Sequence, residues 1–416
     1  MQVYKFGGGT VKDANAIKKL KTIVEVCKEE LVIVISAMSK ITNELEKLSS
    51  HYFTQSKEKY ILFENLKEYH INIILELFPD KHPVFSDINS TFTEIENLIN
   101  NPPLNDYGII YDKIVSYGEI LSTKIISEYL NLKEIKNSWL DAKDLIITDE
   151  NFGEARPCWD VCTRLITNKF DFNKHKVYIT QGFIGATKKG VPTTLGREGS
   201  DFTASLIAYI LNAEKVIIWK DVEGVLNADP SEFKKTVKLD KISYHEAIEM
   251  AFYGAKVIHP RTIKPLQNKK IPLYVKSFYK PEKPGTIIYE ITETIKIPPV
   301  YIFKREQVLI SILPRDFSFI AEDNMSEIFS LLAKYRIKVN LTQNSAISFS
   351  LCLTDDKKKI SEFIEDLKKK FRVLYNDNLT LITIRHYTQN AINEQLKDKK
   401  VFIQQKSRKT ARFVVS

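Results

Sequence analysis

The chain of 416 residues has a formal net charge of +9, with 44% hydrophobic and 27% charged residues. This length indicates two or three domains, and the composition allows large buried cores, which excludes a fold that depends on disulfides or structural metals. The lysines are spread along the whole chain among acidic residues. The charge is therefore better explained by AT-rich coding than by a binding surface, and we expect neither nucleic acid nor a membrane as a partner.

The amino terminus and the cysteines indicate a cytoplasmic protein. The chain opens directly on a strand pattern, without the basic segment and apolar run of a secretory signal. No apolar stretch reaches the roughly 20 residues that a membrane helix needs. The four cysteines form no CxxC pair, which favours buried thiols in a reducing compartment over a metal site.

The first two-thirds of the chain alternates apolar strand patterns with helical ones. The predicted strands are Val3–Phe6, Leu31–Ile35, Val177–Thr180, Lys215–Trp219 and Leu273–Ser277. Nearly continuous apolar strands joined by helices are typical of a parallel sheet that is covered on both faces. We therefore predict an α/β fold with a mostly parallel sheet. Residues from about 44 to 135 hold few strand signals and predict a helical insertion.

The pattern changes near residue 295, after turn-forming residues at Pro281–Gly285 and Pro298–Pro299. From Val308 to Tyr375 strands and helices follow in the order βαββαβ, which predicts a ferredoxin-like domain. A shorter set of strand and helix patterns follows it. We predict three parts: a first domain at 1–292, a ferredoxin-like domain at 300–377 and a partial second unit at 378–416.

A glycine-rich turn, Lys5–Thr10 (KFGGGT), joins the first strand to the first helix. Three glycines allow the backbone to approach a ligand closely and to turn its N–H groups toward it. The helix N-terminus and Lys5 add positive charge, so the turn suits a phosphate. It is not a Walker A loop, because GxxxxGK[ST] is absent. A merely tight turn between strand and helix is the alternative.

Two further loops stand out, one after a predicted strand and one before a predicted helix. Ser36–Asn43 is rich in small and hydroxylated residues, as at the ligand-binding edge of an open sheet, although helix capping explains it equally well. Leu195–Ala204 (LGREGSDFTA) opens a helix. Its Arg197 offers a planar fork for a carboxylate, and an arginine beside Asp201 suits a zwitterionic amino acid. A surface Arg–Asp pair is the alternative.

These segments, in this order, resemble the amino acid kinase family and, within it, the aspartate kinases. Lys5–Gly8 is similar to the opening KFGG, and Gly196–Asp201 to the GR-x-GSD signature. Gly254–Pro260 (GAKVIHP) resembles GA-x-V-[LI]-HP, and the tail resembles the ACT domains that regulate such kinases. The chain departs from the family at Lys220, where threonine is usual, and at Leu226, where an aromatic residue is common.

The resemblance implies an ATP-dependent kinase that phosphorylates the side-chain carboxylate of L-aspartate, with Mg²⁺ brought in on ATP and no metal site of protein ligands. The residues that it implies for catalysis are Lys5, Arg197 and Asp201. Those that it implies for the aspartate are Ser36, Asn43, Glu119, Arg197 and Asp201. Those that it implies for the nucleotide are Lys5, Gly7, Gly8, Gly9, Asp221 and Lys256.

The ACT-like tail implies a homo-oligomer, a dimer or larger, and an amino-acid effector that contacts Gln343 and Asn344. Two other functions stay open at this point. One is a family member with another acceptor, such as acetylglutamate, glutamate, carbamate or UMP. The other is a non-catalytic regulator that binds an amino acid. The ACT-like tail, together with Glu119, Arg197 and Asp201, argues against another acceptor. The presence of Lys5 and Arg197 argues against a non-catalytic regulator.

Overall fold

The computed structural model describes residues 1–103, 105–255, 258–291, 296–316 and 318–416. The chain divides into two compact units. The first is made of residues 1–225, 238–248 and 257–292, and the second of residues 226–237, 249–256 and 293–416. Within the described ranges, no helix is long and apolar enough to cross a membrane.

The first unit contains all five strands that the sequence predicted. Its strands are β1 Gln2–Phe6, β2 Leu31–Ile35, β3 Ser138–Leu140, β4 Ile147–Thr148, β5 Val177–Gln181, β6 Ile184–Thr187, β7 Pro192–Thr194, β8 Lys215–Lys220, β9 Lys241–Ser243, β10 Leu273–Ser277 and β11 Thr286–Tyr289. Its helices are α1 Ala14–Glu25, α2 Ile41–Phe53, α3 Glu58–Leu77, α4 Val84–Asn100, α5 Tyr107–Leu132, α6 Trp159–Lys169, α7 Gly199–Leu211 and α9 Pro260–Asn268, while α8 Tyr244–Tyr253 continues from this unit into the second.

Eight of these strands form one sheet in the order β3-β5-β2-β1-β8-β10-β11-β9. The first six strands in this order, β3, β5, β2, β1, β8 and β10, are parallel to one another, and β11 runs antiparallel to β10. Strand β2 is buried along its whole length, and β1 and β8 are buried at most positions. These nearly continuous apolar strands occupy the centre because both faces of the sheet are covered. Strands β4, β6 and β7 form a separate small sheet.

The predicted helical insertion is present as helices α2 to α5, which lie between β2 and β3 along the chain. Their apolar faces pack into the same core as β1 and β2. Helix α5 begins where the side chain of Asp106 accepts hydrogen bonds from the N–H groups of Gly108 and Ile109. Such a cap satisfies backbone donors that have no partner inside the helix.

The second unit contains an antiparallel sheet in the order β13-β14-β12-β15-β17-β16. Its elements are β12 Val300–Pro314, α10 Glu322–Lys334, β13 Val339–Asn344, β14 Phe349–Thr354, α11 Lys357–Lys368, β15 Phe371–Arg385, α12 Gln389–Leu396, β16 Val401–Lys406 and β17 Thr410–Val415. The predicted βαββαβ order is therefore present, with longer first and last strands than the pattern suggested.

Strand β12 serves both halves of this sheet. Its second half pairs with β14 and with the start of β15, whereas Val300–Lys304 pairs with Leu381–Arg385. Between the halves lies an irregularity at which Glu306 has a positive φ of 53°. The sequence pattern missed Val300–Lys304 because the charged stretch at this bulge interrupts the apolar alternation. The carboxyl-terminal part of β15, Leu381–Arg385, therefore pairs with Val300–Lys304, which precede the predicted βαββαβ pattern.

Candidate functional site

The first unit contains a cleft of about 690 Å³ at the carboxyl ends of strands β1, β2 and β8. Parallel strands end at the same edge of a sheet, so loops that are distant in sequence meet there. The cleft lining includes six of the residues that the sequence analysis singled out: Lys5, Ser36, Asn43, Glu119, Arg197 and Asp201. They come from β1, the β2–α2 loop, α2, α5, the β7–α7 loop and the first turn of α7.

An ion pair between Lys5 and Asp201 stands in this cleft. The distance from Lys5 Nζ to Asp201 Oδ1 is 2.7 Å, and the two side chains are only 11% and 5% exposed. Burial tends to raise the pKa of Asp201, but the positive charges of Lys5 and Lys220 and a hydrogen bond from Lys5 outweigh it and lower that pKa. Asp201 is therefore a carboxylate, and its charge holds the Lys5 ammonium in the cleft.

Lys220 is a cleft residue that the sequence analysis noted only as a departure from the family. It ends β8, next to β1, and Ile218 of β8 lies opposite Lys5. Side chains alternate along a strand, so Lys220 lies on the same face of the sheet as Ile218 and Lys5. This two-residue period is the signal by which the sequence could have placed Lys220 in the site.

Glu119 is a buried carboxyl group with an incomplete set of partners. Its Oε1 accepts a hydrogen bond from the N–H of Ala37 at 3.2 Å, whereas its Oε2 is buried and has no hydrogen-bond partner among the described residues. Burial, opposed by backbone N–H groups and by the charge of Lys5, raises the pKa of Glu119 to about 8. A buried acceptor of this kind is suited to a cationic ligand, because an incoming ammonium group would satisfy it and favour its ionised form.

Arg197 is exposed, and the loop around it is held at several points. Glu198 has a positive φ of 54°, and helix α7 begins directly after it. The Glu198 carboxylate accepts a hydrogen bond from the N–H of His259, and the Arg261 guanidinium donates to the Leu195 carbonyl at 3.0 Å. A fixed loop that presents an exposed guanidinium suits the recognition of a carboxylate ligand. His259 also caps α9, because its side chain accepts a hydrogen bond from the N–H of Arg261 at 3.2 Å.

The glycine-rich turn lies next to Lys5, but its glycines do not line the cleft. Gly8 packs against the loop after β2, and a side chain there would come within 2.6 Å of the Ser39 carbonyl and 2.8 Å of the Ala37 carbonyl. A side chain at Gly9 would have nothing within 4 Å. Gly8 is therefore needed for close packing of two backbone segments, whereas the space beside Gly9 is open.

The cleft lining does not include the remaining predicted residues that the structure describes. Asp221 follows β8, is exposed, and is absent from the lining. Lys256 lies outside the described residues. Gln343 and Asn344 are exposed at the end of β13, in the second unit, where they pair with Ser350 and Phe349. In the part of the chain that the structure describes, no group of three or more His, Cys, Asp or Glu residues could hold a metal ion.

Comparisons with a family model, with a curated relative and with solved structures agree with one another. The model of the Amino acid kinase family matches residues 1–277. The lysine-sensitive aspartokinase 3 of Escherichia coli (strain K12) is 31% identical over 391 residues, which span 92% of this chain and 86% of that protein.

Two solved structures of E. coli aspartokinase III are also similar, each at 28% sequence identity over 100% of this chain and 96% of theirs. The complex with aspartate and ADP (R-state) has a TM-score of 0.84. The complex with lysine and aspartate (T-state) has a TM-score of 0.83.

Proposed function

Since the chain belongs to the amino acid kinase family and, within it, to the aspartokinases, we propose how its cleft residues divide the work of an aspartate kinase. This enzyme transfers the γ-phosphoryl group of ATP to the side-chain carboxylate of L-aspartate. The proposal rests on one observation: a single cleft contains the Lys5–Asp201 ion pair, the unpartnered oxygen of Glu119 and the exposed Arg197. Together they match a substrate with an ammonium group, two carboxylates and an incoming phosphoryl group.

The amino-acid end of the substrate is recognised by opposite charges. Arg197 binds the α-carboxylate through its planar guanidinium. Glu119 and Asp201 bind the ammonium group, and the unpartnered Oε2 of Glu119 supports this role because it lacks a donor in the described structure. Ser36 and Asn43, which also line the cleft, complete the pocket.

The phosphate end is recognised by positive charge. Lys5 holds the transferring phosphoryl group in the cleft, and Lys220 adds a second cation on the same face of the sheet. The N–H groups of Gly7, Gly8 and Gly9, in the turn that follows Lys5, bind phosphate oxygens of the nucleotide, although these glycines do not line the cleft itself. Asp221 and Lys256 bind the nucleotide. Mg²⁺ enters with the phosphates of ATP, as is usual for this ion.

The reaction needs no general base, because the acceptor carboxylate is already ionised at neutral pH. The work of the protein is therefore to position the two substrates and to neutralise the charge that the phosphoryl group carries during transfer.

We predict that L-aspartate is the acceptor. With ATP and Mg²⁺, the purified protein should form an acyl phosphate that hydroxylamine traps as a hydroxamate, which is measured by its coloured iron complex. Acetylglutamate, glutamate, carbamate and UMP, tested at equal concentration, serve as controls, and their turnover is measured as ADP release because phosphorylated UMP is not an acyl phosphate. Equal or faster turnover with one of these would replace the proposed acceptor, and no turnover with any of them would favour a non-catalytic amino-acid-binding protein.

The raised pKa of Glu119 predicts a pH dependence of aspartate use. Below about pH 8 the free enzyme holds Glu119 mostly protonated, whereas the ammonium of aspartate needs the carboxylate. From pH 6 to 8 the value of kcat/KM for aspartate should therefore rise by up to about tenfold per pH unit, and level above pH 8. In Glu119→Gln, kcat/KM should be lower and the rise should disappear. If kcat/KM for aspartate still rises with the same slope in this variant, the group that titrates is not Glu119.

We further propose that the second unit is an amino-acid sensor. The proposal keeps the parts expected from the sequence: a kinase domain at 1–292, an ACT-like domain at 300–377 and a partial ACT-like unit at 378–416. It also keeps Gln343 and Asn344 as effector contacts, a homo-oligomer formed through the ACT-like domain, and a cytoplasmic location. The lysine complex of the E. coli relative supports lysine as the first candidate effector. Threonine is the second candidate.

The sensor is tested by adding lysine and threonine, singly and together, to the aspartate assay. An effector shifts activity only if it binds one conformation more tightly than another. We predict inhibition by lysine that is weaker in Asn344→Ala, with Asn378→Ala as the control for an exposed asparagine elsewhere in the same unit. If millimolar amounts of both amino acids leave the activity unchanged, this unit is not a sensor for them and has a structural role only.

A further inference from the structure

Asp112 is a fully buried acidic residue near the cleft that is not part of its lining. It lies on α5, the helix that carries Glu119 two turns further along. Residues two turns apart lie on the same side of a helix, so Asp112 and Glu119 are presented toward the same neighbouring segments.

The carboxylate of Asp112 binds two loop segments at once. The Thr194 hydroxyl donates to Oδ1 at 2.6 Å, and the Thr194 N–H donates to Oδ2 at 3.0 Å. The Gly153 N–H lies 3.1 Å from Oδ1 and 3.0 Å from Oδ2. Every one of these partners is a donor, so the site suits a carboxylate, which only accepts hydrogen bonds.

Both segments lead directly to the cleft. Thr194 ends β7, three residues before Arg197, and Gly153 lines the cleft itself. The segments are also joined to each other, because the Ala155 N–H donates to the Thr194 carbonyl at 2.9 Å. Asp112 therefore fixes the base of the Arg197 loop to the helix that carries Glu119.

We propose that Asp112 is a positioning residue for the amino-acid substrate: it sets the distance between Glu119, which binds the ammonium group, and Arg197, which binds the α-carboxylate. This inference rests on the proposed function of those two residues. Asp112 does not touch the substrate. It acts through its hydrogen bonds to Gly153 and Thr194, which fix the base of the Arg197 loop to helix α5.

The inference is tested with Asp112→Asn, which keeps the size of the side chain but turns an NH₂ group toward donors. We expect KM for aspartate to rise by about tenfold or more, because small misplacements of binding groups are costly, while KM for ATP changes less than about twofold. The matched control is Asp106→Asn, the same change at the N-cap of the same helix, where the side chain accepts from the N–H groups of Gly108 and Ile109. Asparagine caps a helix about as well as aspartate, so the control should leave both KM values within about twofold.

Other outcomes are equally decisive. A rise in both KM values, an unchanged KM for aspartate, or the same rise in Asp106→Asn would overturn the positioning role. If Asp112→Asn does not fold, Thr194→Val removes the hydroxyl donor alone, and it should raise KM for aspartate about threefold with KM for ATP unchanged. An unchanged KM for aspartate in Thr194→Val would then overturn the role. A wild-type protein that forms no aspartyl hydroxamate would instead show that the proposed function has failed.

Discussion

The buried ion pair between Lys5 and Asp201 is the interaction on which the rest of the site depends. Two opposite charges that are almost removed from water stabilise the fold only while both are present, since either one alone leaves an uncompensated charge at a cost of about 3–5 kcal/mol. The pair joins the central strand β1 to the first turn of α7. It therefore fixes a cation at the sheet edge and, at the same time, fixes the start of the helix that follows the Arg197 loop.

The arrangement of charge around this pair suits phosphoryl transfer to a carboxylate. Both reacting groups are anionic, so the enzyme must bring two negative groups together and offset their repulsion. Lys5 and Lys220 lie on one face of the sheet and bring positive charge to the cleft. In the proposed arrangement, Arg197 supplies positive charge at the other end of the substrate, and Glu119 and Asp201 supply the negative charge that an ammonium group requires. Asp112 is proposed to hold Glu119 and Arg197 at a fixed distance from each other.

Much of the fold could be predicted from the sequence because the central strands are nearly continuous apolar runs. β2 and β10 begin and end as predicted. The first half of β12 could not be predicted, because charged residues at a bulge interrupt its alternation. Within the site, the glycine-rich turn and the Arg197 loop were identified by their composition and order. Glu119 was found only by resemblance, since a single glutamate on a helix carries no local signal.

The contacts between these residues could not be predicted from the sequence. Lys5 and Asp201 are proposed to bind different groups of the substrates, and no sequence pattern indicated that their side chains also pair with each other across two elements. No sequence motif marks Asp112, because its hydrogen-bond partners Gly153 and Thr194 come close to it only through tertiary packing. Such hydrogen bonds depend on how loops that are distant in sequence meet, and no pattern of spacing within one segment predicts them.

The central claim is that Lys5 and Asp201 act as one unit, and a double-mutant cycle in kcat tests it most directly. Lys5→Met and Asp201→Asn should each lower kcat for aspartate by about 10²- to 10³-fold. The double variant should lie within about tenfold of the more damaged single variant, because the second change removes an interaction that is already lost. Losses that multiply in the double variant would contradict the account, since they would mean that the two residues contribute independently.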